Sequence, residues 1–338
     1  MSLDTFILPR FAPTERANPV VCHKCGENAK KNGKDRNDQQ RYRCKTCKKT
    51  FVKQQPKPLG NMNLPMEKAV FCLKLLLEGT SIRATERLTG INRNTICSLV
   101  VTVGKNCKRF LERAINNIPV NDIQCDETWG FVGCKERTAE QKGYSGECGD
   151  AYCFVGIERN TKLVVAWHLG KRSSDDTWAF THKLYVATTG RYQISTDGWG
   201  PYQTAIPLTF RYEVDFGIII KSYGKTGEEG SRQYSPASII SIKKKTGCGN
   251  PDSRMVSTSH CERFNLTLRM GIRRLTRLTN AHSKKWENHE AMLGLYFAFY
   301  NFCRPHSSLE NRTPAWEHGL TDRKWTIEEL LQMAATQL

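Results

Sequence analysis

The side chains best suited to chemistry in this sequence are three acids set far apart. Asp126 stands in Cys125-Asp126-Glu127-Thr128-Trp129, Asp197 in Ser195-Thr196-Asp197-Gly198-Trp199, and Glu262 in Glu262-Arg263-Phe264-Asn265. Each alone reads as the solvated end of an element. Together they would supply hard oxygen ligands of the kind that Mg²⁺ or Mn²⁺ takes. Two such ions about 4 Å apart activate a water or a 3′ hydroxyl and steady the leaving oxygen of a phosphodiester, with no side-chain nucleophile required. One Asp would bridge both ions while the other Asp and the Glu each complete one side. Asn265 and Arg269 follow Glu262 by three and seven residues and so share its helix face. Arg269 is expected to hold a phosphate beside the metals. Gly198 is expected to let the backbone bend just after Asp197.

A second set of ligands lies near the amino end. Cys22 and Cys25 form one C-x-x-C pair, and Cys44 and Cys47 form another after eighteen residues. This spacing fits two knuckles around a short hairpin that hold a structural zinc ion, with all four positions closed to chemistry. Binding energy on the order of 10 kcal/mol would let a segment with few apolar residues fold. Between the knuckles stand Lys30, Lys31, Lys34, Arg36, Arg41 and Arg43, whose density suits phosphate contact, with Tyr42 and Phe51 as packing residues.

These ligands need elements to carry them. The reading divides the chain into a zinc ribbon over 1–55, a helix-turn-helix module over 56–117 and a catalytic domain over 118–338 with a helical tail. From Met66 apolar residues recur at helical spacing, with Ala69, Val70, Leu73, Leu76 and Leu77 on one face. Gly90 makes a turn, Asn92 is a candidate cap, and Ile96, Leu99, Val100 and Val103 mark a longer helix that opens with Arg93, Asn94 and Thr95. Two helices around a tight turn suit a DNA groove, although a plain packing bundle gives the same pattern. After Pro119 the period shifts toward two. Strands are expected over Val120–Cys125, Ala151–Ile157 and Leu163–Leu169, then a helix over Asp176–Ala187 capped by Ser174 or Asp175. A strand over Tyr192–Thr196, a short helix after Gly198, a strand over Val214–Ile220 and a last long helix from about His260 complete the list. Three strands, helix, strand, helix, strand, helix is the order of a ribonuclease-H-like α/β domain with a mixed sheet. It would put Asp126 at the end of its first strand and Asp197 at the end of its fourth.

Charge narrows the partner. The net charge is +18 over 338 residues, and residues 1–60 carry 14 Lys and Arg against 5 Asp and Glu. Such an excess points to a polyanion, either nucleic acid or an acidic membrane surface. No apolar run of about 18 residues exists, so no membrane span is expected. The first residues lack the pattern of a secretion signal, and a cytoplasmic, nucleoid-associated protein is expected. Arg263, Arg273, Arg274 and Arg277 extend a basic surface from the Glu262 helix.

At these residues the sequence resembles the DDE transposases of bacterial insertion sequences, most closely the insertion sequence one family. The likeness runs over nearly the whole length: cysteine knuckles, helix-turn-helix, then Asp126-Glu127-Thr128-Trp129, Asp197-Gly198-Trp199 and Glu262-Arg263-Phe264-Asn265. It implies a Mg-dependent enzyme that binds terminal inverted repeats in double-stranded DNA, nicks them and joins the freed 3′ hydroxyls to target DNA. Because two ends must be held together, a homodimer or higher assembly on DNA is expected. The chain departs from compact members by an extra loop over 133–150 and a basic, Gly-rich stretch over 222–259, either a contact to DNA ends or a dimer arm. The tail from Asn301 through Arg304-Pro305-His306 to Thr313-Pro314-Ala315 resembles a pattern of insertion-sequence transposases and is given no role.

Other signals are weaker. Gly224-Lys225-Thr226 follows an apolar strand, but Ile219 occupies the position where a phosphate loop needs glycine, so ATP is not expected. Cys134, Cys148 and Cys153 are irregularly spaced for a second metal site. Trp129 and Trp199 suit core packing better than stacking on a distorted base. Two further functions fit the same residues: a non-catalytic zinc-ribbon regulator that binds DNA, and a metal-dependent nuclease of the same fold.

Overall fold

In the computed structural model the described residues are 20–22, 24–36, 38–52, 57–144, 148–224, 239–277 and 279–336. The readings that fall on 1–19, on the domain boundary at 55–56, on 145–147 of the extra loop, on Lys225 and Thr226, and on 225–238 of the basic stretch lie outside them.

Strands β1 (Ala29–Lys34), β2 (Gln40–Cys44) and β3 (Thr50–Val52) form an antiparallel sheet. Its only described ring pair is Tyr42 against Phe51, cross-strand neighbours with centroids 6.2 Å apart. The lysines and arginines of β1 and β2 face solvent, so little apolar surface holds this sheet together.

Helices α1 (Met66–Leu77), α2 (Ile82–Thr89) and α3 (Arg93–Ala114) come next. Ser81 caps α2 by accepting the Ala84 N–H, and Asn92 caps α3 by accepting the Asn94 N–H at 2.9 Å. Between them Gly90 takes the left-handed conformation, φ 69°, that lets the chain turn within three residues. The buried stripe of α3, from Ile96 through Val103 and Phe110 to Ala114, faces α8 (Trp286–Phe302). The two helices meet backbone to backbone, because a Cβ on Gly104 would lie 2.0 Å from the Ala291 carbonyl oxygen. One apolar core therefore runs from Leu59 through these helices and the central sheet to Ala334. The helices before residue 117 share that core with the sheet.

The central unit has a mixed sheet and is mixed α/β. It begins with β4 (Ile118–Pro119) and β5 (Asp122–Val132), then α4 (Glu136–Gln141), β6 (Gly149–Glu158), β7 (Val164–Gly170) and α5 (Ser174–Ala187). After these lie β8 (Thr188–Thr189), β9 (Gln193–Thr196), α6 (Tyr202–Thr209), β10 (Asp215–Tyr223), β11 (Ile239–Cys248) and α7 (Ser259–Gly271). Past α8 come α9 (Pro314–Glu317) and α10 (Ile327–Thr336). The six-stranded sheet has the order β11-β10-β9-β5-β6-β7. β5, β6 and β7 are antiparallel neighbours, β9 runs parallel to both β5 and β10, and β11 returns antiparallel on β10.

Four expectations are corrected. The first long strand does not stop at Cys125 but continues to Val132, which places Asp126 in mid-strand. The α5 cap is Ser173, whose hydroxyl accepts the Asp176 N–H at 3.1 Å, rather than Ser174 or Asp175. The basic stretch contains a strand, β11, where none was expected. The helix that begins at Ser259 is not the last long one; α8, apolar on nearly every side, comes after it and lies inside. The carboxy-terminal tail is structural. Asn301 bonds both the N–H (3.0 Å) and the carbonyl (2.9 Å) of Val164 on the sheet's outer strand, which blunts that edge. Thr313 caps α9 by accepting the Trp316 N–H.

Candidate functional site

Sheet topology opens the cleft. β5 pairs with β9 only over Asp122–Gln124, and β9 ends at Thr196, so past residue 124 β5 has no strand beside it on that side until the bridge from Val132 to Ser283. Asp126 and Glu127 stand in the unpaired stretch, and Asp197 is the first residue after β9. Carboxylate oxygens of Asp126, Glu127 and Asp197 lie within 4.8 Å of one another.

Each acid is held differently. Asp126 accepts from the Glu127 N–H at 2.9 Å and from Asn265 Nδ2 at 2.8 Å, while Thr128 donates to Asn265 Oδ1 at 2.5 Å. Asn265 is thereby a positioning residue for Asp126. Asp197 accepts the Trp199 N–H at 2.9 Å, a tight side-chain turn that makes the bend. Gly198 has no positive φ, and a Cβ there would make ordinary contact with Ile220 at 3.5 Å, so the bend does not depend on glycine. Glu127, only 3% exposed in its side chain, accepts from the Tyr202 hydroxyl at 2.5 Å. Arg172 closes the group, with Nη2 3.3 Å from Glu127 and 3.6 Å from Asp197. Its guanidinium lies over the Trp199 ring at 4.3 Å, and the Trp199 indole N–H is anchored on Thr177 at 3.2 Å.

Burial and mutual repulsion leave their mark on protonation. Desolvation, reinforced by the charges of Asp197 and Glu262, pushes the Asp126 carboxyl up to about 7. Desolvation and the Asp197 charge do the same to Glu127, also to about 7. One arginine does not neutralise three clustered acids, and a divalent cation together with it would. Oxygens on opposite sides of a metal stand about 4.2 Å apart around Mg²⁺ and about 5 Å around Ca²⁺, so the observed cluster suits a hard divalent ion. Asp126, Glu127 and Asp197 could hold such an ion.

The linkage has a definite sign. In the folded, metal-free protein Asp126 and Glu127 keep their protons up to about pH 7, whereas in the unfolded chain they release them near pH 4. The folded state binds more protons across that interval, so stability falls as pH rises through it. Thermal midpoints of metal-free protein are expected to drop between about pH 4 and 7, with Mg²⁺ or Mn²⁺ restoring stability more at pH 8 than at pH 5. A midpoint insensitive to metal at both pH values would count against a cation site here.

Glu262 does not join the cluster. It is bound by Lys221 and accepts from Thr258 at 2.7 Å, and although burial opposes ionisation, these partners hold its carboxyl below the usual range. Its charge nevertheless reaches Asp126. Arg269 was expected at a phosphate, but its guanidinium donates to the carbonyls of Leu275 (3.0 Å) and Trp129 (2.9 Å). Desolvation, with repulsion from Arg277, pulls it down to about 10. Arg274 likewise turns inward, donating to the Asn288 carbonyl at 2.5 Å, so it is not a DNA-facing residue. In both cases backbone carbonyls hold the guanidinium. Arg263 and Arg273 are exposed.

The four cysteines do converge. Cys22 and Cys47 sulfurs lie 3.6 Å apart and Cys25 and Cys44 sulfurs 3.4 Å apart, with all four within 4.8 Å. A zinc tetrahedron with bonds of about 2.3 Å has edges of about 3.8 Å, so the quartet could hold zinc. Lys30, Lys31, Lys34, Arg36, Arg41 and Arg43 are all exposed. Lys30 sits directly opposite Arg43, a like-charge pair on an exposed face. Arg93 and Asn94 are exposed at the start of α3 and Thr95 is half-buried. Among the described residues, Cys134, Cys148 and Cys153 form no metal-spaced group.

Glu127, Arg172, Tyr202 and Lys221 escaped the sequence reading. Glu127 had a signal, its place beside Asp126 in Cys125-Asp126-Glu127-Thr128-Trp129, but it was given no role. Arg172, Tyr202 and Lys221 had none.

No protein-family model matches the chain, and no curated protein matches it. Among solved structures it is similar to piggyBac transposase, as seen by cryo-EM in its synaptic complex with hairpin DNA, with a TM-score of 0.37 and 11% identity over 84% of this chain and 73% of that one. No helix among the described residues is long and apolar enough to cross a membrane.

Proposed function

We propose that this chain is a DNA transposase that cleaves strands at the terminal inverted repeats of a mobile element and joins the 3′ hydroxyls to target DNA. The observation that carries the reading is the convergence of Asp126, Glu127 and Asp197 where β9 stops short of β5. The order of elements, three antiparallel strands followed by two parallel ones with helices between, supports a ribonuclease-H-like core. The cysteine quartet supports a zinc ribbon that displays a basic face to DNA.

Asp126 and Asp197 would hold Mg²⁺ or Mn²⁺ with Glu127, and Glu262 is the next ligand in reach once Lys221 releases it. The bound ions would lower the pKa of a water or 3′ hydroxyl and offset charge on the leaving oxygen. Asn265 holds one Asp126 oxygen and the Glu127 N–H the other, which fixes the carboxylate. Tyr202 fixes Glu127. Arg172 supplies a permanent positive charge beside the acids, within reach of a phosphate once the cations take its place. Lys30 to Arg43 and the start of α3 would contact phosphates and groove, and two copies would pair the two ends.

The test is product mapping. Purified protein incubated with Mg²⁺ and DNA carrying the flanking repeats should yield nicks at the repeat ends with free 3′ hydroxyls, and then joined strands. Nicks without joining would favour the nuclease reading, and binding without any nick would favour the regulator.

A further inference from the structure

The β10–β11 hairpin has a root and a free part. β9 supports β10 only as far as Ile218, opposite Thr196. Beyond it, Ile219 to Tyr223 pair with β11 alone, from Lys244 back to Ile239. Directly opposed residues share a face, so Lys221 goes with Ile242 and Ile220 with Lys243. Lys221 bonds Glu262, which fixes the first face toward α7. On the second face Ile220 abuts Gly198, next to Asp197. The free ribbon thus rises from between two of the acids proposed for catalysis.

Its surface is unlike the rest of the sheet. Ile240 is 71% exposed and Tyr223 58%, and Ile239 and Ile242 are about half exposed. Lys243, Lys244 and Lys245 stand in unbroken sequence and are exposed; Lys244 donates to the Ser253 carbonyl at 2.6 Å. A run of isoleucines on a sheet's outer strand invites pairing with a second copy. Three consecutive lysines oppose that, since an antiparallel copy would bring them against one another. A polyanion with apolar faces of its own satisfies both features. DNA with separated strands is such a partner: phosphates for the lysines, unstacked bases for Tyr223 and the isoleucines.

We infer that this ribbon grips DNA at an opened end, with Lys243 and Lys245 on the backbone and Tyr223, Ile240 and Ile242 against unpaired bases. It rests on the transposase reading for its location but not for its measurement, which is binding without Mg²⁺. The full chain is titrated with a fully paired duplex and with the same duplex splayed at one end. Wild type should prefer the splayed end by roughly tenfold. The double variant Ile240→Ser/Ile242→Ser should lose that preference and keep duplex affinity. Lys243→Glu/Lys245→Glu should weaken both and flatten the salt dependence by about one phosphate per lysine. All four side chains are exposed, so thermal midpoints should not change, and a changed midpoint is answered by the milder Lys243→Gln and Ile240→Thr.

Variants that bind both probes as wild type does would overturn the inference, as would a wild type without preference. So would a loss of dimer mass in Ile240→Ser without DNA, which would make the ribbon a subunit contact. If the chain binds no DNA at all, the transposase reading falls with it, so the two failures are told apart.

Discussion

Replacing Asp197 by Asn should abolish Mg²⁺-dependent nicking, by a factor on the order of 10³ or more, while duplex affinity changes little. The expected size comes from the chemistry: a metal contributes several kcal/mol of charge stabilisation to the transition state, and about 4 kcal/mol corresponds to a thousandfold. The substitution keeps the shape and the hydrogen bond to the Trp199 N–H, and removes one negative charge from the cluster. It should also lower the pKa of Glu127, because the Asp197 charge helps to raise it. Binding and cleavage separate because Asp197 is an acid inside an otherwise basic protein and repels phosphate rather than attracting it. A nicking rate equal to wild type, at equal Mg²⁺, would remove Asp197 from the metal site. An accompanying loss of fold would show in the thermal midpoint, which is expected to rise slightly when repulsion is relieved.

The second large effect concerns the amino-terminal cysteines. Cys44→Ser, or chelation of zinc, should unfold the sheet of β1, β2 and β3 and leave the rest of the chain folded. Among the described residues its lysines and arginines face solvent and Tyr42 stacks on Phe51, and metal binding in such units contributes on the order of 10 kcal/mol. Cys44 is central to it. Burial opposes ionisation of its thiol, yet the backbone N–H groups of Cys47 and Thr46 and the Cys25 thiol bring it down to about 6, ready to be a thiolate ligand. Amide exchange in residues 29–52 should lose protection, one equivalent of zinc should be released, and DNA affinity should fall with the disordered lysines. Undiminished protection in the zinc-free protein would show that the sheet stands without metal.

The sequence was most informative where chemistry depends on local spacing. Two C-x-x-C pairs, the Asn92 cap and the switch from helical to strand period after Pro119 are short-range patterns, and the structure has all three. The acids were legible one at a time. That Asp126 and Asp197 meet, though 71 positions apart, could be expected only from an order of elements, and the same order put Glu262 beside them, where the structure has it bound to Lys221. Lys221 decides that, through a bond to Glu262 that links β10 to α7. Arg269 and Arg274 show the same limit from the other side: arginines spaced as on a helical face turn inward to the backbone carbonyls of Trp129, Leu275 and Asn288, far from them in sequence or outside their helix.

By itself, then, the sequence determined which residue types were available, the metal-spaced cysteines, the basic surplus and the succession of strands and helices. Those depend on interactions within a few residues or on charge summed over the whole chain. Only the tertiary structure decided that Glu127 rather than Glu262 completes the acid cluster, that Arg172 sits over it, and that the chain after β10 returns as an exposed ribbon. Each of those depends on where β9 ends relative to its neighbours, a long-range registry that no local pattern encodes.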